Sequence, residues 1–320
     1  MAAVLNSNVA SLWASKNLQG AQSKMADSVE RLSSGLRINR AADDAAGLGI
    51  TNALTQQING ANQGVRNLND GISMVQTAEG AISAAQEMAQ RILTLATQAA
   101  NGTLGNTDRV AIRAEMRQLV VAIDGIGSRT KFSGNSLLGQ SMGGTTGFTL
   151  QVSNNTSDTI SLAASAFRNI GVGSRTETAG TAGDILSHKN FGTTTDGADS
   201  TADAVTAGQA STLINKINAV ADGSLVGTSF TAIQTAASNY ITALNTQRSL
   251  LGAYQNQIEF TVSNTTELAS NLSAARSSVQ DTDYANETAS LTKGQILQQA
   301  ATAMLAQANQ MPNVILSLLK

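Results

Sequence analysis

Apolar residues recur at intervals of three and four positions along both ends of the chain, a spacing that places them on one face of an α-helix. The amino-terminal series shifts phase once, whereas the carboxyl-terminal series steps by four and three. The pattern predicts two terminal helices that pair antiparallel and bury their apolar residues on one another. We call these residues the terminal seams: Leu5, Val9, Leu12, Met25, Val29, Leu32 and Leu36 at the amino end, and Leu297, Met304, Leu305, Met311, Ile315 and Leu318 at the carboxyl end.

The middle of the chain repeats the helical spacing, with one segment of different period. Helices are predicted over residues 65–99, 108–126, 213–220 and 233–272. Within 147–163, apolar and polar residues alternate on both sides of a polar break at Asn154 and Asn155, which predicts a β-hairpin. The sequence therefore predicts a mainly α fold: a long antiparallel helical bundle or coiled coil formed by the amino- and carboxyl-terminal segments, with a small β-hairpin region.

Composition limits the function classes open to such a bundle. Only 13% of residues are charged, the net charge is -2, and no basic stripe interleaved with aromatic residues is present, which argues against a nucleic-acid partner. The run from Gly294 to Leu319 carries no charge but is too rich in Gln and Asn for a membrane span. The amino end lacks the pattern of a cleavable secretory signal. A surface poor in charge suits burial by further copies of the chain.

The terminal segments hold few large apolar side chains for their length, and ordering a backbone carries a large entropic cost. We therefore expect both ends to be largely disordered in the monomer. They should become ordered only when they pack against one another and against neighbouring subunits.

No catalytic residue, metal site or cofactor is predicted. His188 is the only histidine, the chain has no cysteine, and the segment from about 171 to 206 is a Gly- and Thr-rich surface excursion with little core. About 35 such residues cannot bury an active site, which argues against an enzyme hosted there.

Two further clusters have structural interpretations. Asp43 and Asp44 are adjacent carboxylates, and we expect them to pair with Arg37 and Arg40 at a helix terminus or subunit contact rather than bind a metal. The glycines are expected to permit close helix packing or a joint between helical layers, because no P-loop lysine follows them. They are Gly47, Gly49, Gly60 and Gly64.

Three stretches carry a family resemblance. SVERLSSGLRINRAADDAAGLGIT, residues 28–51, and LNDGISMVQTAEGAI, residues 68–82, resemble the amino-terminal signature of bacterial flagellins. DTDYANETASLTKGQILQQAATAMLAQANQMPNVILSLLK, residues 281–320, resembles the flagellin carboxyl terminus. The likeness covers roughly residues 1–165 and 205–320. It identifies the chain as similar to short flagellins that lack large outer domains.

The resemblance implies a fold and a set of partners. Residues 1–40 with 280–320 would form an inner helical polymerisation domain, and residues 41–279 a surrounding helical domain with the hairpin and the excursion. It implies a structural subunit that polymerises with itself into the extracellular flagellar filament for motility. It also implies contact with hook-junction and cap proteins, an export chaperone and a type III export apparatus.

The resemblance also extends to a segment that a host innate receptor recognises in the family. The matching residues here are Gln90, Arg91, Leu95 and Glu115.

A different class of function remains open at this stage. A cell-surface adhesin or binding protein could reuse the same fold, with the hairpin and the excursion contacting a host or a polysaccharide. An aromatic or charged cluster within 165–205 would favour it, but that segment offers Phe167, Phe191, His188 and a few charges.

Overall fold

The computed structural model describes residues 8–138, 147–168, 170–171, 204–219 and 227–318. The prediction of a mainly α fold is confirmed, and most of the predicted excursion and His188 lie outside the described residues. Within these ranges four short strands accompany the helices, and residues Ala164–Phe167 form a 3-10 turn. The elements in chain order are α1 Val9–Ser34, α2 Ala45–Ala100, α3 Asn106–Arg129, β1 Lys131–Phe132, β2 Asn135–Ser136, β3 Phe148–Gln151, β4 Thr159–Leu162, α4 Ala204–Ala219, α5 Gly227–Gln280 and α6 Tyr284–Leu318.

The chain divides into two compact units. Met1–Asn59 together with Leu268–Lys320 form one, which we call the terminal unit, and Gly60–Glu267 form the other, the central unit. These bounds concern packing alone. The predicted functional division into residues 1–40 with 280–320 and residues 41–279 stays a prediction.

The core of the central unit is built on α2, α3 and α5. The buried positions of α2 follow the predicted helical spacing and include many alanines, whose small side chains allow neighbouring helices to approach closely. Helices α2 and α5 run antiparallel: Gln234 Nε2 donates to Thr97 Oγ1 at 2.9 Å, and Arg248 Nη1 donates to Gln86 Oε1 at 3.1 Å. The long carboxyl-side helix predicted from 233 to 272 is thus part of this core.

The predicted hairpin is formed by β3 and β4, which pair Phe148 with Leu162 and Gln151 with Thr159. The hairpin packs against α2 at three glycine positions. A Cβ at Gly60 would lie 2.8 Å from Asn154 N, one at Gly64 1.6 Å from Val152 O, and one at Gly71 2.4 Å from Leu150 Cδ1. Gly60 and Gly64 therefore allow close packing against the hairpin rather than against another helix, which corrects the sequence-based expectation.

Close helix packing also does not explain the two glycines at the start of α2. A Cβ at Gly49 would meet no atom within 4 Å, so no close neighbour explains this glycine. At Gly47 a Cβ would lie 2.5 Å from Asp44 Oδ2 and 2.6 Å from Ile38 Cδ1, both in the loop before α2 rather than in a packed helix.

A second hairpin, β1–β2, was not predicted. Lys131 pairs with Ser136 and Phe132 with Asn135 across a turn in which Ser133 and Gly134 have φ values of 50° and 85°. Two central residues with positive φ are the requirement of the tight hairpin turn that matches strand twist. The dipeptide Ser133-Gly134 was the available signal, but the strands are only two residues long.

Among the described helices, none combines the length and the apolar character needed to cross a bilayer.

Candidate assembly surface

Helices α1 and α6 lie antiparallel within the terminal unit. At one end Asn8 Nδ2 donates to Ala308 O at 2.7 Å, while its Oδ1 accepts from Ser11 N at 3.1 Å and so caps α1. At the other end Arg31 Nη1 lies 4.0 Å from Glu287 Oε2. The predicted pairing of the two chain ends is confirmed, and it joins residues about 300 positions apart in sequence.

The fully buried residues in the contact between α1 and α6 are small ones rather than the large residues of the terminal seams. They recur every seven residues, the repeat of a helix pair that keeps one face in contact. A Cβ at Gly294 would lie 3.4 Å from Met25 Cβ, so the helices are already near van der Waals contact there. The buried small residues are Ala14, Ala21 and Ser28 on α1, and Gly294, Ala301 and Ala308 on α6.

The terminal seams are therefore placed differently from the expectation. Val9, Leu12, Val29, Leu297 and Met304 are exposed, with Leu12 at 67% and Met304 at 61%. Within one chain these five are not buried on the opposite helix, because the helices meet along the small-residue stripe, which lets their backbones approach more closely. Their predicted role in polymerisation stays a prediction. Met25, Leu32, Leu36 and Leu305 are half-buried, and Met25 faces Gly294 within the contact. Leu5 and the side chains of Met311, Ile315 and Leu318 lie outside what the structure describes.

Trp13 and Ile296 are further large apolar side chains on these helices that are exposed and were not among the seam residues. Trp13 is 63% exposed, with Lys16 Nζ 5.9 Å from the centre of its ring, and Ile296 is also exposed. Helical periodicity did not indicate them, because each lies one residue out of phase with the apolar series. We call Val9, Leu12, Trp13, Val29, Ile296, Leu297 and Met304 the exposed apolar set.

The links at the far end of this helix pair contact each other. Gly35 ends α1 with φ 72°, and its carbonyl accepts from Thr282 N at 3.0 Å. Arg37 N donates to Gln280 O at 2.6 Å, and Leu36 bridges Asp281 antiparallel. Backbone hydrogen bonds thus join the α1–α2 link directly to the α5–α6 link.

The carboxylates of the α1–α2 link order its backbone instead of forming the predicted ion pairs. Asp43 Oδ2 accepts from Arg40 N at 2.8 Å and from Asn39 N at 3.0 Å, and these backbone bonds lower the pKa of Asp43. Asp44 Oδ1 accepts from Gly47 N at 2.9 Å and so caps α2, which confirms the helix-terminus interpretation.

The arginines expected to pair with these aspartates have other partners. Arg40 pairs with Glu30 at 2.7 Å, and Arg37 Nη2 donates to Val279 O at 2.5 Å. The described residues contain no group of three or more His, Cys, Asp or Glu side chains that could hold a metal ion.

The segment that resembles a receptor epitope is only partly accessible. Gln90, Arg91 and Glu115 are exposed, and Arg91 Nη2 lies 2.8 Å from Glu115 Oε1 across α2 and α3. Leu95 is 2% exposed and belongs to the core of the central unit. It offers no surface to a partner, so its assignment as a receptor contact is corrected.

Three side chains one heptad apart on α5 hold the segment after β4. Tyr240 Oη donates to Ile170 O at 2.6 Å, Gln247 Nε2 donates to Arg168 O at 3.0 Å, and Ala163 N donates to Tyr254 Oη at 3.2 Å. Burial, and to a smaller degree Asp124, raises the pKa of Tyr240, so its hydroxyl remains a donor. All three bonds go to backbone atoms, and sequence periodicity carries no signal for them.

Comparison with known proteins gives a consistent result. Residues 5–142 match the bacterial flagellin N-terminal helical region, and residues 234–319 match the C-terminal helical region. The chain is 37% identical over 317 residues to the flagellar filament 33 kDa core protein of Treponema phagedenis, covering 99% of this chain and 100% of the relative. It is 37% identical over 318 residues to the flagellin of Bacillus subtilis (strain 168), covering 99% of each.

The chain is also similar to a solved structure, the crystal structure of Bacillus cereus flagellin. The TM-score is 0.42 at 24% identity, covering 66% of this chain and 94% of that one.

Proposed function

Because the chain belongs to the bacterial flagellin family and is a subunit of the extracellular flagellar filament, we propose that the exposed apolar set on α1 and α6 is its polymerisation surface. The remaining residues of the terminal seams would belong to the same polymerisation surface. In this proposal residues 1–40 and 280–320 form the inner layer of the filament, and residues 41–279 form the layer around it.

One observation carries the proposal. The fully buried residues of the α1–α6 contact are alanine, serine and glycine, while the large side chains of the exposed apolar set on the same two helices stay outside it. Burial of each such side chain contributes about 1.5–3 kcal/mol. Contact with neighbouring copies is therefore the step that removes this apolar surface from water, and assembly stabilises the terminal unit by mass action.

The lack of charge on α6 from Gly294 onward also favours burial of this surface between neighbouring copies. From Gly294 to its end at Leu318, α6 contains no Lys, Arg, Asp or Glu, and the whole chain is only 13% charged. Repulsion between stacked copies is correspondingly small, and few charges have to be desolvated when the surface is covered.

The role is structural rather than enzymatic. We propose that the chain reaches the filament through a type III export apparatus with a chaperone, and that it assembles between hook-junction and cap proteins. A host innate receptor would contact the exposed residues Gln90, Arg91 and Glu115. No observation among the described residues favours the adhesin alternative.

Substitution of Met304 tests the polymerisation surface. Met304→Asp should abolish sedimentable filaments, because a buried unpaired carboxylate at every contact is strongly unfavourable. Met304→Leu is the matched control: it keeps apolar area at the same position and should polymerise. Filament mass is measured by sedimentation and electron microscopy, and circular dichroism checks that the monomer retains its helices. Normal filaments from Met304→Asp would overturn the proposal.

A further inference from the structure

Phe260 is the most exposed of the large hydrophobic side chains in the described parts of the chain, at 78%. It lies on α5 two residues from fully buried Ile258, and so on the side of the helix turned away from the core. Its exposed neighbours are polar and include Glu259 and Ser263. Phe260 is thus a single exposed aromatic side chain on a polar helix face of the central unit, and we call it the knob.

A depression of matching chemistry lies elsewhere on the same unit. It has a volume of about 720 Å³ at the end of α2 and in the turn before α3. Leu93 and Leu104 supply its apolar wall, and Thr94, Thr97 and Gln98 line it with methyl, methylene and polar groups. We call it the α2–α3 pocket.

The knob cannot reach the pocket of its own chain. Gln234 of α5 lies beside Thr97 of α2, and Arg248 beside Gln86, so Phe260 stands opposite the part of α2 some 25 residues before the pocket. At a rise of about 1.5 Å per residue the separation along the helices is about 40 Å. Contact between knob and pocket therefore requires two copies.

We propose that Phe260 of one copy inserts into the α2–α3 pocket of a neighbouring copy in the filament. The two surfaces differ, so the contact is heterologous, and a contact of this kind can repeat from copy to copy as a filament requires, rather than closing a two-fold dimer. A second copy is the occupant this chain needs, because its established role is to polymerise. The inference concerns the central unit and is independent of the contacts proposed for α1 and α6.

Cross-linking tests the juxtaposition directly, because the chain has no cysteine of its own. Filaments of the double variant Ser263→Cys, Gln98→Cys, treated with a short bismaleimide, should give a ladder of multimers. Mass spectrometry should identify the peptide pair that joins residues 98 and 263. The linker is too short to join the two sites within one chain. Each single variant is a control, and its filaments should yield no cross-linked multimers. Well-formed filaments of the double variant that yield no 98–263 peptide would overturn the inference.

Substitution of Phe260 gives an independent measurement. Phe260→Ser should raise the critical concentration for polymerisation about tenfold, whereas Phe260→Leu should change it little. Unchanged melting of the monomer confirms that the fold is intact. If Phe260→Ser polymerises like the parent chain, the contact is refuted, yet the role of the chain as a filament subunit stands. The Met304 variants report on the terminal surface separately.

Discussion

Gly64 of α2 and Val152 of the hairpin are in direct backbone contact. The space where a Gly64 side chain would begin is filled by the Val152 carbonyl oxygen, at 1.6 Å from an ideal Cβ position. One helical turn on, Asn67 Nδ2 donates to Gln151 O at 3.0 Å and fixes the hairpin along the helix. The hairpin is held by close backbone approach together with this side-chain bond.

Gly64→Ala should therefore destabilise the central unit by about 1–3 kcal/mol, because the new methyl group displaces the hairpin. Gly80→Ala is the matched control: it lies on the same helix, nothing lies within 4 Å of its Cβ position, and alanine favours the helix. It should stabilise the protein by about 0.5–1 kcal/mol. Urea unfolding of the monomer followed by circular dichroism measures both, and equal effects would contradict the role given to Gly64.

A second prediction concerns the small-residue stripe between α1 and α6. Ala21→Leu should force the helices apart and lower the amount of sedimentable filament, since an added isobutyl group has no space in that contact. Gln22→Leu adds the same side chain at an exposed position and should leave the pairing intact. Comparable filament mass from the two variants would show that the stripe does not set the helix distance.

What the sequence reveals of this molecule depends on side-chain size. Helices and the β3–β4 hairpin were predictable because large apolar residues such as Leu68, Ile82 and Leu162 mark the buried faces. The α1–α6 contact was misassigned because its buried residues are alanine, serine and glycine, which carry little hydrophobic signal.

Other features depend on tertiary contacts that no local pattern encodes. One such feature is the close backbone contact between Gly64 and Val152. Another is the hydrogen bond from Tyr240 Oη to Ile170 O in the segment after β4. The burial of Leu95 could have been read from its helical phase with Ile92 and Ala99, both of which are fully buried.

A third prediction concerns Tyr240. Tyr240→Phe removes the bond to Ile170 O and leaves that carbonyl without its donor, which should cost about 1–3 kcal/mol near neutral pH. Because the folded pKa is raised, the contribution of Tyr240 is complete below the unfolded value of about 10 and declines as pH rises above it. The difference between parent and variant in urea unfolding should shrink above that pH. Exposed Tyr284→Phe is the control and should have little effect.

A fourth prediction concerns acid. The pKa of Asp43 is lowered by the backbone N–H groups of Arg40 and Asn39, so its stabilising contribution is present above the unfolded value of about 3.9 and is lost as pH falls below it. The parent chain should lose protection of the Arg40 amide as the pH is lowered through that range. In Asp43→Asn this acid-dependent loss should be smaller, and hydrogen exchange measures it. An identical pH profile in the two proteins would count against the assigned role of Asp43.

The pairing of Asn8 with Ala308, close to the two ends of the described chain, makes each terminal helix a template for the other. A chain truncated before α6 would leave the stripe of Ala14, Ala21 and Ser28 without its counterpart, and a chain lacking α1 would do the same to Gly294, Ala301 and Ala308. If α1 and α6 carry the polymerisation surface as proposed, we expect neither fragment to join a growing filament. Helix packing would then select intact chains over truncated ones.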